Sequence, residues 1–227
     1  MPSIASYIDH TLLRPEATIQ EIIRLCQQAK EFGFYSVCVN PCYVTVCKRQ
    51  LEGSSVKVCA VVGFPLGANC PTLKAEEAKM AIEDGADEID MVINIGYLVS
   101  EGYDLFDLIR QEIGRIVSYA HKHNVLVKVI IETALLTNEE KTTACKLAVE
   151  AGADFVKTCT GFNGGQATVE DVKLMKAAVG AAAEVKASGG IRDYATAMAM
   201  IEAGAKRLGT SSGVKIVLEE TSAEGSC

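Results

Sequence analysis

The amino-acid sequence predicts an α/β protein: a single (β/α)8 barrel domain spanning residues 1–227, with eight parallel strands and outer helices. Three observations predict it. The segments 82-IEDGADEIDMV-92, 149-VEAGADFVKTC-159 and 201-IEAGAKRLGTS-211 repeat one pattern: a helix end, a capping glycine and a short apolar strand. A looser copy, 31-EFGFYSVCVN-40, places Gly33 at the cap. Eight strand-like runs recur along the chain with helical patterns between most of them, and this alternation builds a parallel sheet. Eight such units close into a barrel. The competing architecture, an open doubly wound sheet, normally carries a GxGxxG turn after its first strand, and none is present.

In chain order the strands are expected at YIDHT (7–11), YSVCVN (35–40), VKVCAVV (56–62), EIDMVIN (88–94), LVKVIIE (126–132), FVKTCT (155–160), EVKAS (184–188) and RLGTS (207–211). Helical patterns cover 72–84, 104–122, 138–151, 168–179 and 193–203. Thr168 starts the fourth of these, with Asp171 in capping-box spacing. No linker or low-complexity segment divides the chain, and residues 220–227 are expected to form a flexible tail.

Composition narrows the function classes. The chain is 49% hydrophobic with no Trp and 6% aromatics, so its core must be largely aliphatic. Net charge is −7 and no run of Lys or Arg occurs, which argues against general nucleic-acid or anionic-membrane binding. An anionic ligand must then be held locally, by a few charges or by backbone N–H groups. Nine cysteines, an odd count without a CxxC pair, point to free thiols in a reducing cytoplasm and not to a zinc site. The opening MPSIASYIDH lacks the features of a signal peptide, and no apolar run approaches the ~20 residues of a membrane helix.

The repeat also directs the charges. Counting five positions on from Gly85, Gly152 and Gly204 lands on Asp90, Lys157 and Gly209, and from Gly33 on Cys38. Strand side chains alternate faces, so equivalent positions point the same way. Lys57, Lys128 and Lys186 form a second set near strand starts, in VKV, VKV and VKA contexts. An inward cluster of Asp and Lys follows from placing so many charges in an aliphatic barrel. Any one strand lysine can instead snorkel to a rim or pair with an acid such as Asp9, Asp90 or Glu132. That structural reading stays ahead for Lys57 and Lys128. Lys157 and Lys186 differ, because a Gly/Ser/Thr-rich turn follows each within a few residues, where barrel active-site loops lie.

Two lysines and a carboxylate suffice for one kind of chemistry. A free lysine amine titrates near about 10.4, and a neighbouring ammonium or desolvation lowers that value. A neutral amine attacks a carbonyl to form a Schiff base, whose protonated form withdraws electrons so that an adjacent C–C bond breaks or forms. A carboxylate such as Asp90 can shuttle the protons. No metal or cofactor is required. The loops Gly161–Gly165, Ser188-Gly189-Gly190 and Gly209-Thr210-Ser211-Ser212-Gly213 precede helices and suit a phosphate, though the same glycines are also what tight turns use. His121, His123 and His10 are weaker candidates, and Cys159 lacks the His–acid partnership of a thiol nucleophile.

The motifs IDHTLLRP, EIDMVINIG, KVIIET, FVKTCTGF and VKASGGIR together resemble the deoxyribose-phosphate aldolase family, from about residue 7 to about residue 219. The resemblance implies a (β/α)8 barrel that reversibly cleaves 2-deoxy-D-ribose 5-phosphate to D-glyceraldehyde 3-phosphate and acetaldehyde. It implies that Lys157 forms the imine and that Asp90 and Lys186 serve proton transfer and amine activation. Asp9 would lie near the substrate hydroxyls. Substrate-binding positions would include Thr160 and Gly209, with Gly161, Gly189, Gly190, Ser211 and Ser212 on the phosphate loops. A homodimer or higher homo-oligomer acting in deoxynucleoside catabolism in the cytoplasm is also implied. Two departures stand out. Phe162 occupies a position where some members have lysine, which shifts phosphate binding toward backbone donors. The chain ends TSAEGSC, without the terminal tyrosine of some members, so that role is absent or taken by water. Another Schiff-base barrel, such as a transaldolase-like or keto-acid aldolase, and a non-enzymatic phosphosugar-binding regulator remain open alternatives.

Overall fold

The computed structural model describes residues 3–100 and 105–224. Eight parallel strands close into a barrel in sequence order: β1 Ile8–Leu12, β2 Ser36–Val39, β3 Lys57–Val62, β4 Glu88–Val92, β5 Leu126–Ile130, β6 Phe155–Lys157, β7 Glu184–Ser188 and β8 Ala205–Thr210. The helices are α1 Ile19–Phe32, α2 Val44–Gln50, α3 Pro71–Glu83, α4 Ile95–Leu98, α5 Phe106–Lys122, α6 Asn138–Glu150, α7 Val169–Val179, α8 Tyr194–Glu202 and α9 Gly213–Glu224. The chain is therefore a single-domain (β/α)8 TIM barrel, as expected. No helix among the described residues is long and apolar enough to cross a membrane.

Period-two alternation sorts the strand residues into two populations. Val37, Val39, Val58, Val62, Ile89, Met91, Val127, Val129, Val156, Val185 and Leu208 join the aliphatic layer between sheet and helices. The alternate positions carry Asp9, Ser36, Glu88, Asp90, Lys128, Lys157, Lys186 and Arg207, all buried. Ion pairs between β4 and β7 and between β4 and β8 show which way these point. Strands so far apart around a barrel meet only through its middle.

The repeat has a conformational basis. Gly85, Gly152 and Gly204 follow α3, α6 and α8 at φ +107°, +85° and +115°, and Gly33 closes α1 at φ +68°. These are positive-φ helix stops, which glycine adopts without steric cost. After α5 the same stop is made by Asn124 at φ +58°, which is why that copy lacks a glycine. Capping boxes open α1 at Thr18–Glu21 and α6 at Thr137–Glu140. Thr168 caps α7 by accepting from the Asp171 N–H.

Two boundaries differ from expectation by three residues or more, the others by two at most. β6 ends at Lys157, three residues before the end of the 155–160 run. Beyond it the Thr158 hydroxyl donates to the Ser188 carbonyl (2.9 Å) and accepts from the Ser188 N–H (3.0 Å), so a side chain takes over from the ladder. At the other end, α9 continues through residues 220–224, where a tail was expected. Glu220 is held there by the Ile4 N–H and Ser3 hydroxyl, both at 3.0 Å. Residue 104 of the 104–122 helix and residues 225–227 of the tail, with Cys227, lie outside the described residues.

Candidate active site

Neighbouring strand positions set the site. Register pairs Asp90 with Lys128, Lys157 with Lys186 and Lys186 with Arg207, so carboxylate and cations hang into one space. Lys157 Nζ donates to Asp90 Oδ2 at 2.7 Å, and Lys186 Nζ donates to the same oxygen at 2.8 Å. Lys128 Nζ takes the other oxygen, Asp90 Oδ1, at 2.9 Å, and also bonds Glu88 Oε2 at 2.6 Å. Lys186 Nζ lies 2.5 Å from Asp9 Oδ2. Asp9 Oδ1 accepts from Ser36 Oγ (2.7 Å) and Arg207 Nη1 (2.8 Å), and Arg207 also binds Glu88 with Cζ 3.3 Å over the Tyr35 ring.

The charges in this network stabilise each other in place. Burial alone would raise the Asp90 carboxyl, but Lys128, Lys157 and Lys186 hold it well below the ordinary carboxylate range. Asp9 behaves likewise: burial is outweighed by Lys186, then Arg207 and Lys128. Burial would strip Lys186 of its proton, yet Asp9 and Asp90 push its titration well upward. Lys128 is raised too, against burial, by Asp90 and then Glu88 and Asp9 among its neighbours. The pairing thus favours the ammonium forms of Lys186 and Lys128 and the carboxylate form of Asp90.

Above this network opens a cavity of about 370 Å³ at the carboxyl ends of the strands. Lys157, 3% exposed, reaches its floor, while Asp90, Lys186 and Asp9 lie buried beneath and do not line it. Thr160, Gly189, Gly190, Gly209 and Ser211 line the walls. Gly161 sits outside the lining, where a Cβ would stand 3.9 Å from Gly189 Cα. Ser212 faces a separate outer cleft of about 490 Å³, and its N–H is taken by Thr210 Oγ1. Gly209 has a spatial reason to be glycine: a Cβ there would stand 3.1 Å from Lys186 Cε and 2.9 Å from Ser188 Cβ. Its missing side chain is the channel through which Lys186 reaches Asp90.

The weaker candidates resolve into structural roles. His10 packs on Phe34 at 4.9 Å and bonds Gln28 at 2.9 Å, and burial lowers its titration below the ordinary histidine range. His121 and His123 are exposed, the first bonded to Asp154 at 3.0 Å. The Cys159 thiol donates to the Ser188 carbonyl, and burial followed by Glu132 pushes it up to about 11, far from a thiolate nucleophile. Lys128 is an ion-paired buried lysine and Lys57 an exposed one, in line with the structural reading of both. Phe162 stands at the cavity wall, edge-on to Phe64 with ring centres 5.2 Å apart. Cys38, Cys59 and Asp90 place three potential ligand atoms within 4.8 Å, but both Asp90 oxygens already carry lysine ammonium contacts. A cation there would face Lys128, Lys157 and Lys186, so the set does not suit a metal ion.

Sequence reasoning missed Glu88, Ser36, Arg207, Arg14 and Arg192. Arg14 and Arg192 line the cavity. A signal for the first three existed: counting three positions on from the repeat glycines gives Ser36, Glu88, Phe155 and Arg207, the inward layer one step below Asp90 and Lys157.

The chain is similar to known proteins. The family described as DeoC/LacD family aldolase matches residues 3–219. A protein of Clostridium tetani named deoxyribose-phosphate aldolase is 56% identical over 216 residues, covering 95% of this chain and 98% of its own. One of the same name from Carboxydothermus hydrogenoformans is 60% identical over 216 residues, covering 94% and 93%. A solved structure, described as a unique tetrameric structure of deoxyribose phosphate aldolase from Aeropyrum pernix, superposes with a TM-score of 0.89 at 35% identity, covering 97% of this chain and 92% of the other.

Proposed function

Because this chain belongs to the DeoC/LacD family of aldolases, we propose that it is a deoxyribose-phosphate aldolase working through a Schiff base on Lys157. The observation that carries the reading is the position of Lys157 Nζ, at the cavity floor and 2.7 Å from a carboxylate oxygen that it shares with Lys186. The relatives' names supply the substrate, 2-deoxy-D-ribose 5-phosphate.

Charge balance supports a reactive amine. The interior network holds three carboxylates, Asp9, Glu88 and Asp90, against Lys128, Lys186, Arg207 and Lys157. The network therefore has one basic group more than it has carboxylates, and Lys157 is the one that reaches the cavity, where a substrate carbonyl would meet it. The neutral amine adds to the C1 aldehyde of the open-chain sugar, and loss of water gives the iminium. A proton then passes from the 3-hydroxyl to solvent water, the C2–C3 bond breaks, and its electron pair moves to form the enamine on Lys157 as the O–H pair becomes the new aldehyde carbonyl. Glyceraldehyde 3-phosphate departs. The enamine takes a proton at C2, and water releases acetaldehyde and the free amine. Asp90, bridging Lys157 and Lys186 through one oxygen, is the path by which protons reach and leave the imine nitrogen. The walls formed by Gly189, Gly190 and Ser211, with Arg192 at the mouth, are placed to receive the phosphate.

Borohydride reduction in the presence of deoxyribose 5-phosphate tests the reading, with the adduct located by peptide mass mapping. The expected result is one reduced adduct, on Lys157. Full aldol turnover with an unmodified Lys157 peptide sinks it. The tetrameric relative supports a homo-oligomer, and the eight free thiols among the described residues fit a reducing cytoplasm, where the enzyme would act in deoxynucleoside breakdown.

A further inference from the structure

Glu132 is a buried carboxylate outside the ion-pair network. It lies two residues beyond the end of β5 and is 0% exposed. Its backbone is left-handed, φ +58° and ψ +64°, a conformation that a residue with a Cβ takes only when its surroundings enforce it. The enforcement is visible. Thr160 Oγ1 donates to Glu132 Oε2 at 2.6 Å, the Thr160 N–H lies 3.2 and 3.3 Å from the two carboxylate oxygens, and Asn163 Nδ2 donates to Oε2 at 2.9 Å. Every one of these donors belongs to the turn after β6.

The turn transmits this grip to the next loop. Thr160 Oγ1, its proton spent on Glu132, accepts from the Phe162 N–H at 3.1 Å and so cannot offer that proton to a ligand. Beyond Asn163 the turn packs on the loop after β7: a Cβ on Gly189 would lie 3.0 Å from the Gly165 carbonyl, and the Gly189 carbonyl accepts from Ala167 at 3.0 Å. Gly189 at φ +92° and Gly190 at φ +77° then line the cavity. A line of contacts therefore runs from Glu132 through Thr160 and Asn163 to the two glycines, and none of its side-chain hydrogen bonds is made to the Lys157 amine or the Asp90 carboxylate.

We propose that Glu132 is a positioning residue that fixes the anion-binding wall of the cavity by clamping the Thr160–Asn163 turn against the Gly189-Gly190 loop. The proposal rests on the reading of this cavity as a sugar-phosphate site. Its specific content is that losing the clamp weakens recognition of the phosphate and leaves the chemistry at Lys157 alone.

The test compares E132Q and N163A with the wild type on 2-deoxyribose 5-phosphate and on unphosphorylated 2-deoxyribose, since Asn163 belongs to the clamp but does not line the cavity. A Gln amide turns one acceptor into a donor that faces Thr160 or Asn163. The expected result is a KM for the phosphorylated sugar raised about tenfold, kcat within about threefold, and an unchanged kcat/KM for 2-deoxyribose. The double variant E132Q/N163A should be no worse than E132Q, because both changes break one clamp. Inorganic phosphate, titrated by calorimetry, reads the same wall without turnover and should bind about tenfold more weakly to E132Q. Equal losses on both sugars, additive effects in the double variant, or unchanged phosphate affinity overturn the proposal. N163A keeps it falsifiable where E132Q does not fold. A wild type that forms no borohydride adduct sinks the aldolase reading instead, and the phosphate titration still decides the role of Glu132.

Discussion

Two fully buried ion-pair systems among the described residues invite comparison, one beneath the cavity that Lys157 lines and one between helices. Inside the strands, Asp90 bridges three lysines and connects through Lys186 and Arg207 to Asp9 and Glu88. Outside the sheet, Lys74 of α3 pairs with Glu112 of α5, both fully buried. Lys74 Nζ also donates to the carbonyls of Gly67 (2.6 Å) and Val92 (2.9 Å), while Glu112 accepts from the Asn94 N–H at 3.3 Å. The outer pair matches one cation to one anion and fills its remaining bonds with backbone. The inner network has one cation more than it has carboxylates, and the odd member reaches the cavity floor. A buried charge by itself says only that partners were found; the unmatched lysine at a cavity is what separates chemistry from architecture.

The sharpest break between the two systems is at that odd lysine. Lys157→Met should leave folding intact, since it relieves the excess charge, while cutting aldol turnover by roughly 10⁴-fold or more and abolishing the borohydride adduct. A Lys157→Met enzyme retaining a tenth of wild-type kcat would make Lys157 architecture like Lys74.

Asp90→Asn comes next, because it damages both properties. It removes the oxygen shared by Lys157 and Lys186 and should lower kcat by roughly 10²–10⁴-fold. It also strands buried ammonium groups, at about 3–5 kcal/mol of stability. The pH dependence follows from the directions of the shifts. Asp9 and Asp90 are depressed in the fold, so their contribution is present above the unfolded value of about 3.9 and is lost as pH falls through the folded values. Lys128 and Lys186 are raised, so theirs is present below about 10.4 and is lost as pH rises through the folded values. Denaturant midpoints should therefore hold level between these limits and fall outside them. Asp90→Asn should shrink the acid-side loss, and an acid limb identical to wild type would remove Asp90 from the account.

The outer pair should respond in stability alone. Glu112→Leu strands Lys74 and should cost about 3–5 kcal/mol, with kcat within a factor of two in the folded enzyme. Adding Lys74→Met should restore most of the loss, as apolar replacement of a whole buried pair commonly does. Lys74 is shifted down and Glu112 up, burial being the leading cause for both, which is the condition under which such replacement succeeds. A double variant less stable than Glu112→Leu would show instead that the Lys74 bonds to Gly67 and Val92 hold the loops after β3 and β4.

How far the sequence reveals this contrast depends on what sets each feature. The helix–glycine–strand repeat is local chemistry, and the five-residue count from its glycines finds Asp90, Lys157 and Gly209 from spacing alone. After α5 the count has no glycine to start from, since Asn124 makes the stop, and five positions on from it is Val129, one past the inward Lys128. Glu132 is hidden for a different reason: nothing in the composition of VIIET marks one residue as left-handed, and only the turn 28 residues further on imposes it. Lys74 and Glu112 are hidden by their elements. On an amphipathic helix a charged residue is read as solvated, and a partner 38 positions away leaves no local trace.

The smallest expected effect falls where two identical motifs part. Lys57 and Lys128 both sit in VKV at strand starts, and the sequence alone gives them one fate. The registers explain the divergence: Lys57 is the first residue of β3, beside Ser36 and exposed, whereas Lys128 is third in β5, beside Asp90 and buried. Two residues of depth along a strand, about 6.6 Å, carry a side chain from rim to interior. Lys57→Met should therefore change stability by no more than about 0.5 kcal/mol and leave kcat and KM as they were. Lys128→Met, which removes a partner from both Glu88 and Asp90, should lose stability on the scale of Asp90→Asn. Thermal melts of the two variants side by side decide it, and equal shifts would mean that depth in the strand does not govern the role of these lysines.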